Sequence, residues 1–409
     1  MSKDFHDEIR LGDFLYIKAR IGWKGLTAKE YTESGAFLIA GTHIVRDKIE
    51  WNRCQYISME RYNESPEIKL REEDVIISKD GTIGRVAFVE KLFGPTTING
   101  TMMLIRPNDK NVIFPKFIYY VLQSEPFQNL VKEKISGSSI PHIFQRDIVK
   151  FKVNKPDINE QKKIAEILTS VDRVIELTSQ EIDKLKDLRF SYVEANLNPD
   201  NQKWKVVSIA NILDKGKNSM RGGPFGSNLL KEEWTTSGIP YLGIDNIQKE
   251  SFNSNFKRYV TEKKFNELKV YSVFEGDVVI TIMGTIGRSC VIPTGFKHLL
   301  SSKHLRSMTL DQSKYIPTLL CYQLNYSSWV WRQYRAGQQG GIMDAINNDV
   351  LKELKICCPP MNEQKKMNDF LVQLKHKIDL KTEYLDSITS LKKGLMNDLL
   401  TGKTRVKCA

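Results

Sequence analysis

Residues 20–27 place two cations and an aromatic side chain in one glycine-punctuated loop. Arg20 and Lys24 flank Trp23 in the stretch Arg-Ile-Gly-Trp-Lys-Gly-Leu-Thr. Cationic side chains suit phosphate groups, and an indole ring suits a base or a sugar. The loop therefore indicates a nucleic-acid face, although Trp23 could equally be an anchor of the protein core.

The motif Gly-Thr-Ile-Gly-Arg occurs at residues 81–85 and returns at residues 284–288, an offset of 203 positions. Both copies join one β-rich run to another, whereas a phosphate-binding loop joins a strand to a helix. A tight hairpin whose glycines satisfy backbone demands explains the motif. Contact between DNA and Arg85 or Arg288 is a second role, compatible with the first.

Two further loops, residues 136–142 and 337–344, are rich in Gly and short polar side chains. Such residues let the backbone approach a ligand closely, and the amides of Gln338 and Gln339 suit the edge of adenine. A flexible connection is the alternative interpretation. Over all the loops, the candidate DNA-contacting residues are Arg20, Trp23, Lys24, Lys79, Thr82, Arg85, Ser138, Ser139, His142, Arg221, Phe225, Ser227, Asn228, Asn246, Thr285, Arg288, Lys303, His304, Arg306, Gln338 and Gln339.

No motif in the sequence forms a self-contained active site. Residues 358–361, Cys-Pro-Pro-Met, lack both ends of the Asn/Asp-Pro-Pro-aromatic motif of an amino-methyltransferase. Residues 401–404 imitate the end of a phosphate loop, but Asn397 stands where Gly is required. Asp157 and Glu160 lie too close together, at a helix start, for a restriction-nuclease metal site. We therefore expect no catalytic residues and no bound metal.

Two long helices must position these loops. The sequence Asn-Glu-Gln-Lys-Lys stands at residues 159–163 and again at 362–366, and each copy opens a heptad pattern. Asn159 and Asn362 are the predicted N-caps of the two helices. A helix of about 38 residues would be about 57 Å long. An ordinary helical hairpin inside a domain core is the alternative. The predicted seam between the helices consists of Ile164, Leu168, Val171, Ile175, Ile182, Leu185, Met367, Leu371, Leu374, Ile378, Leu385 and Ile388.

Composition restricts the partner and the compartment. The formal net charge of +12 and the pI of about 9.2 favour a polyanionic partner. No run of 18 or more apolar residues exists, so we expect no membrane span. The six cysteines have no regular spacing and are typical of a reducing, cytoplasmic compartment.

The repeat offset predicts two similar globular units and two long helices. The predicted boundaries are 1–155 for the first domain, 156–198 for the first helix, 199–358 for the second domain and 359–409 for the second helix. The apolar pattern predicts one helix over residues 116–135 and its counterpart over about 318–335. The loops of the two domains differ, which is typical of one scaffold that presents two recognition surfaces.

Together these features resemble the specificity subunit of type I restriction-modification systems. The likeness rests on the doubled Asn-Glu-Gln-Lys-Lys and Gly-Thr-Ile-Gly-Arg motifs and on Gly223-Pro-Phe-Gly-Ser227, followed by Gly238-Ile-Pro240 and Asn246-Ile247. It covers essentially the whole chain. The first domain departs from the Gly-Pro-Phe-Gly-Ser pattern.

The resemblance implies a mixed α/β fold with two tandem target-recognition domains, joined by two antiparallel coiled-coil helices. Each domain would read one half of an asymmetric bipartite site in double-stranded DNA. The helices would set the spacer and dock two methyltransferase subunits, and restriction subunits would join for cleavage. The chain itself would be non-catalytic and hold no cofactor. S-adenosylmethionine, ATP and Mg²⁺ are expected on the partner subunits, which would methylate adenine at N6.

Two alternatives remain at the level of the sequence. The chain could be the separate specificity module of a different methyltransferase-nuclease system. It could also be a coiled-coil scaffold whose two domains bind proteins.

Overall fold

The structure is a computed structural model that divides into two compact units. Unit 1 comprises Met1–Ser179 and Glu383–Ala409, and unit 2 comprises Gln180–Thr382. The residues that the structure describes are 8–20, 26–136, 142–202, 204–216, 218–225, 228–337 and 348–407.

Unit 1 combines short strands with helices. Its strands are β1 (Glu8–Arg10), β2 (Leu15–Ala19), β3 (Tyr31–Thr32), β4 (Ala36–Ile39), β5 (Ile44–Val45), β6 (Lys48–Ile49), β7 (Gln55–Ile57), β8 (Val75–Ser78), β9 (Val86–Phe88), β10 (Thr96–Ile98), β11 (Met102–Pro107) and β12 (Lys152–Asn154). Its helices are α1 (Met59–Asn63), α2 (Pro115–Gln123), α3 (Glu125–Ser136), α4 (Gln145–Lys150) and the first part of α5 (Ile158–Leu197).

Unit 2 has a similar order of elements. Its strands are β13 (Lys205–Ser208), β14 (Met220–Arg221), β15 (Ile239–Pro240), β16 (Ile247–Gln248), β17 (Ser251–Phe252), β18 (Tyr259–Val260), β19 (Ser272–Val273), β20 (Val278–Thr281), β21 (Ser289–Val291), β22 (Leu299–Leu300), β23 (Leu305–Met308) and β24 (Lys355–Cys358). Its helices are α6 (Ile209–Ile212), α7 (Glu262–Glu267), α8 (Pro317–Tyr326), α9 (Ser328–Gly337) and α10 (Asn348–Glu353), with the second part of α5 and the first part of α11 (Met361–Leu400).

A four-stranded antiparallel sheet lies at the centre of each unit. The strand order is β2-β11-β8-β9 in unit 1 and β14-β23-β20-β21 in unit 2. Strand β8 is buried along its whole length, and so is β20. This explains their continuous runs of apolar residues, because a strand that is covered on both faces has no polar side. The predicted mixed α/β scaffold is therefore present twice.

The Gly-Thr-Ile-Gly-Arg motif forms the β8–β9 turn and, in unit 2, the β20–β21 turn, as predicted. The Ser78 hydroxyl donates to the Thr82 carbonyl and accepts from the Arg85 amide at 3.0 Å, and Thr281 makes the same two contacts 203 positions later. Gly287 has a φ of +85°, and a Cβ there would lie 2.8 Å from the Trp331 ring. The turn therefore needs glycine for both backbone geometry and space.

The prediction of one continuous helix over residues 116–135 is wrong, because the structure has two helices there: α2 ends at Gln123 and α3 begins at Glu125. The same break separates α8 from α9. Ser124 and Ser327 stand at the breaks with extended backbone. The Ser124 hydroxyl donates to the Val121 carbonyl at 2.6 Å, and the Ser327 hydroxyl accepts from the Val330 amide at 3.4 Å. Such local bonds compete with helix continuation.

The glutamine of the repeated Asn-Glu-Gln-Lys-Lys motif attaches each long helix to its unit. Gln161 is fully buried, accepts from the Phe114 amide at 2.8 Å and donates to the carbonyls of Val112 and Pro156. Gln364 makes the equivalent three bonds to Ile316, Lys314 and Pro359. The motif repeats because both copies need this side chain at the same position.

The expectation that Asn159 caps the first long helix is wrong. Helix α5 begins at Ile158, and the Asp157 carboxylate accepts from the backbone amides of Asn159 and Glu160 at 2.9 and 3.0 Å. Asn362 also lies inside its helix, since α11 begins at Met361. An acidic cap suits the positive end of the helix dipole.

Within each unit the two long helices run antiparallel. In unit 1, Lys392 pairs with Asp172 at 2.7 Å and Arg405 pairs with Glu160 at 2.7 Å. In unit 2, Lys381 pairs with Glu181 at 2.6 Å, and the ring of Tyr192 packs on Phe370 with centroids 4.3 Å apart.

The predicted seam residues divide into two groups. The buried ones are Ile164, Leu168, Ile182, Met367, Leu371, Leu374, Ile378 and Ile388. The half-buried ones are Val171, Ile175, Leu185 and Leu385. Ile164 and Leu168 belong to the core of unit 1, and Met367 and Leu371 to the core of unit 2. The helix starts are therefore part of the globular cores. None of the described helices is long and apolar enough to cross a membrane.

Candidate DNA interface

In unit 2 the β20–β21 turn, residues 220–225 and residues 302–306 lie close together. The Ile282 amide donates to the His304 carbonyl at 2.9 Å. A Cβ at Gly223 would lie 2.2 Å from the Ser302 backbone, so only glycine lets the two segments approach this closely. The glycine-rich loop is thus fixed beside the turn by backbone contacts.

Three predicted residues of this region project outward. The Phe225 side chain is 55% exposed, and Asn228 and Lys303 are also exposed. His304 is half-buried beside them. Burial, followed by the charges of Lys303 and Arg258, lowers the pKa of the His304 imidazole below its usual 6.5. An aromatic ring, an amide, an ammonium group and a neutral imidazole can together contact a phosphate and a base edge.

The Arg221 side chain is enclosed by other groups of the protein. Its guanidinium donates to the Ser272 carbonyl at 2.8 Å and to Thr309 Oγ1 at 2.9 Å, and it pairs with Asp277. Its side chain is 6% exposed. The guanidinium balances the charge of a buried carboxylate, so Arg221 has a structural role here.

Arg306 and Asn246 are also enclosed. Arg306 donates to Asn348 and to the Leu305 carbonyl, and it is 7% exposed. Asn246 accepts from the Gly243 amide at 2.8 Å and donates to the Asn253 carbonyl at 2.8 Å. We reinterpret both as supports of the loops rather than as DNA contacts.

The remaining pair on this face, Thr285 and Arg288, is half-buried in the turn. Arg288 donates to Gln248 Oε1 at 3.1 Å. A side-chain amide is a neutral partner, so the guanidinium keeps its net charge for a phosphate.

Unit 1 forms the corresponding region from different side chains. Lys79 pairs with Asp80 at 2.6 Å, and His142 Nδ1 contacts the same carboxylate. The Ile143 amide donates to the Lys79 carbonyl at 3.1 Å, which ties the segment after residue 141 to the turn. The Lys79 amide donates to the Thr101 carbonyl, and position 101 corresponds to His304 in the repeat.

Arg85 and Arg20 differ in their surroundings. Arg85 is exposed and donates to the Ile44 carbonyl at 2.9 Å, beside the half-buried Thr82. Arg20 is 5% exposed and donates to the Ile98 carbonyl and to Ser65 Oγ, both at 3.3 Å. We therefore retain Arg85 as a candidate contact and reinterpret Arg20 as structural.

Seven candidates lie outside the described residues. They are Trp23, Lys24, Ser138, Ser139, Ser227, Gln338 and Gln339. Their four segments fall at two pairs of equivalent places in the 203-residue repeat. Their role stays a prediction.

Phe144 is a candidate that the sequence motifs missed. Its ring is 46% exposed and lies between the His142 ring, at 4.4 Å between centroids, and the Arg146 guanidinium at 4.6 Å. The Phe144 amide donates to the Asp147 carboxylate at 2.9 Å, which fixes it at the start of α4. An exposed aromatic beside an arginine, Phe-Gln-Arg, was the available signal.

Exposed apolar side chains on the long helices form a second kind of candidate surface. Leu177 and Leu188 of α5 are 51% and 46% exposed. Their repeat equivalents, Leu380 and Leu391 of α11, are 52% and 58% exposed. Their recurrence at equivalent places in both copies makes these side chains candidates for contact with a protein partner. Within the described residues no cluster of His, Cys, Asp and Glu could hold a metal.

A family model and a curated relative that match this chain both describe type I restriction-modification specificity proteins. A family model described as "Type I restriction modification DNA specificity domain" matches residues 4–187 and 201–390. The type I restriction enzyme MjaVIII specificity subunit of Methanocaldococcus jannaschii is 23% identical over 98% of this chain and 93% of its own length.

Two solved structures share the fold. One is the S subunit of a type I restriction-modification system from M. genitalium, with a TM-score of 0.59 and 16% identity over 96% of this chain and 95% of that chain. The other belongs to a study of complex assembly and conformational transition of the type I R-M system. It has a TM-score of 0.58 and 16% identity, over 97% of this chain and 98% of that chain.

Both halves of the sequence match one family, and both units repeat one sheet. The chain accordingly belongs to the type I restriction-modification DNA specificity family, as a non-catalytic specificity subunit with two tandem target-recognition domains.

Proposed function

We propose that each unit reads one half of an asymmetric, bipartite site in double-stranded DNA. One observation carries this proposal: positions 203 residues apart, which are equivalent in the repeat, hold different side chains on the candidate interface. Asp80 of unit 1 corresponds to Met283, and Thr101 corresponds to His304. Two recognition surfaces of different chemistry favour different bases, so the half-sites should differ.

Lysine and arginine supply the sequence-independent part of this binding. The net charge of +12 favours DNA, and phosphate contacts make the affinity fall as salt rises. The exposed side chains near the two turns would then read base edges. Because its target is DNA, we place the function in the cytoplasm.

We propose that the long helices dock two methyltransferase subunits. The exposed pairs Leu177/Leu380 and Leu188/Leu391 support this, because equivalent apolar positions offer the same contact twice. Restriction subunits would join the assembly for cleavage. S-adenosylmethionine, ATP and Mg²⁺ would belong to these partners, which would methylate adenine at N6 after flipping the base.

We further propose that the helices set the spacer between the half-sites. Each unit's core contains the start of one long helix and the end of the other, for example Leu168 with Leu399 in unit 1. A recognition unit attached in this way cannot slide along the helices. The spacer should therefore follow from helix length.

Methylome sequencing tests the proposal directly. A host would express this chain with its methyltransferase subunit, and a matched host would express the methyltransferase alone. We expect N6-methyladenine in a split, asymmetric motif only when the chain is present. If both proteins associate and no such motif appears, the chain does not direct methylation and the proposed function is wrong.

A further inference from the structure

Each unit carries a two-residue hairpin at the same place in the repeat. Strands β5 and β6 form it in unit 1, and β16 and β17 form it 203 positions later. The second tip residue is Asp47 in one and Glu250 in the other, with φ of 60° and 59°. Residues with a side chain adopt this left-handed conformation only at a cost, so the surroundings must impose it.

In unit 2 the hairpin tip is held from two sides. The Glu250 amide donates to the Ser289 carbonyl of β21 at 2.9 Å. The Glu250 carboxylate pairs with Arg189 of α5 at 2.7 Å, and the two side chains are 5% and 11% exposed. The Arg189 guanidinium also lies 4.4 Å from the centre of the Tyr326 ring. One residue thus connects the recognition sheet to the long helix.

Net stability is a weak explanation for a buried ion pair such as Arg189–Glu250. Burial raises the pKa of the Glu250 carboxyl above its usual range, although Arg189, a hydrogen bond with Tyr326 and the charge of Lys375 act in the opposite direction and Asp379 adds to the rise. The loss of hydration therefore outweighs the attraction to the cations. Buried ion pairs of this kind contribute little net stability, and their best-supported use is to fix one geometry.

The equivalent tip of unit 1 is arranged differently. Burial raises the pKa of the Asp47 carboxyl, and the charge of Lys392 acts in the opposite direction. There Lys48 pairs with Glu176 at 2.5 Å, with side chains 61% and 42% exposed, and Arg46 donates to Ser179 at 3.1 Å. Lys392, the repeat equivalent of Arg189, pairs instead with Asp172 of α5 at 2.7 Å. The exposed Lys48–Glu176 pair is weak and tolerates several geometries.

We propose that the Arg189–Glu250 pair is a positioning latch, which fixes the orientation of the second recognition domain on its helix and narrows the spacer lengths that the complex accepts. This rests on the proposed function. Both residues act through the domain they orient and neither needs to touch DNA. The exposed contacts of Lys48 and Arg46 hold the equivalent tip of unit 1 less firmly.

The test compares spacer preference in matched variants. Duplexes would carry the two half-sites separated by the native spacer or by one base pair more or fewer, and adenine methylation by the assembled complex would be measured. In Arg189→Met with Glu250→Gln, we expect the preference for the native spacer to fall about tenfold, within the range that small misplacements produce. Half-site sequence and thermal stability should stay unchanged.

Two further variants make the result specific. The charge-swapped chain, Arg189→Glu with Glu250→Arg, should regain most of the preference, and Lys48→Met should retain it fully. An unchanged preference in the neutral double variant would overturn the latch. A drop in thermal stability with equal loss at every spacer would show a merely structural pair.

Amide hydrogen exchange tests the latch independently of methylation activity. The backbone amides at positions 250 and 253 donate to the carbonyls of Ser289 and Asn246. In the neutral double variant these two amides should exchange faster, while the central sheet stays protected. Unaltered protection of these amides would contradict the latch. If the wild-type complex methylates no split motif, the proposed function fails, and the exchange result still decides whether the pair fixes the hairpin.

Discussion

At the scale of single residues, burial separates two kinds of polar side chain in this protein. Arg221, Arg306 and Arg20 lie at 5–7% exposure with intramolecular partners, whereas Arg85 and Lys303 reach the surface. The sequence does not distinguish them. The partner of Arg221 is Asp277, 56 positions along the chain, and only the folded sheet brings the two together.

The repeated glutamine gives the first prediction. Gln364→Leu leaves the backbone groups of Ile316, Lys314 and Pro359 without partners in a buried site. We expect the free energy of unfolding to fall by roughly 3 kcal/mol, since each unpaired buried group costs about 1–3 kcal/mol. Urea denaturation measures the loss.

Asn362→Ala in the same motif is the control for this prediction. Asn362 is exposed, so the change should stay within about 0.5 kcal/mol. Equal stability of the Gln364 and Asn362 variants would contradict a structural role for the glutamine.

His304 gives a prediction about pH. Its lowered pKa keeps the imidazole neutral at pH 7, and a nearby phosphate would favour the charged form. Binding of DNA would then take up a proton, so affinity should rise as the pH falls towards the lowered pKa of the imidazole in the free protein. Fluorescence anisotropy at fixed salt measures this dependence. His304→Asn should flatten it, and an equally steep dependence in that variant would exclude His304 from the interface.

At the scale of elements, the sequence predicts the scaffold well and its interruptions poorly. The hairpin turns at 81–85 and 284–288 and the long helices follow from glycine spacing and heptads. The breaks at Ser124 and Ser327 do not, because apolar periodicity continues through them. A serine that hydrogen-bonds its own backbone ends one helix and starts the next, and neighbouring side chains in the core decide whether it does so.

Two glycines with opposite surroundings give the prediction at this scale. Gly394 lies within α11 with no heavy atom within 4 Å of an added Cβ. Gly394→Ala should therefore raise the free energy of unfolding by about 0.5–1 kcal/mol, through helix propensity. Thermal denaturation measures the shift.

Gly287→Ala is the opposite case. Its φ of +85° and its contact with Trp331 penalise any side chain, so we expect a loss of about 1–2 kcal/mol or more. If both alanine variants shifted stability in the same direction, the explanation of the turn motif would be wrong.

At the scale of the whole molecule, the spacer should depend on helix length. Inserting four residues into both α5 and α11 adds about 6 Å of helix. We expect the methylated motif to keep its half-sites while its gap grows by about two base pairs, at about 3.4 Å per pair. Methylome sequencing of the variant measures the gap.

A matched variant with four Ala residues replacing four exposed helix residues keeps the native length and should keep the native gap. An unchanged gap in the lengthened chain would contradict the proposal that the helices set the spacer.

The two central sheets neutralise an equivalent buried carboxylate with arginines from different strands. Asp74 and Asp277 occupy equivalent places, but Asp74 pairs with Arg106 of β11 and Asp277 with Arg221 of β14. The equivalents of these arginines are Thr309 and Lys18. A chimera with β2 from one copy and β23 from the other would bury an aspartate with no arginine. Chimeric chains whose crossover lies at a helix start keep each sheet whole and should therefore fold. Chimeric chains whose crossover lies inside a sheet should fail to fold.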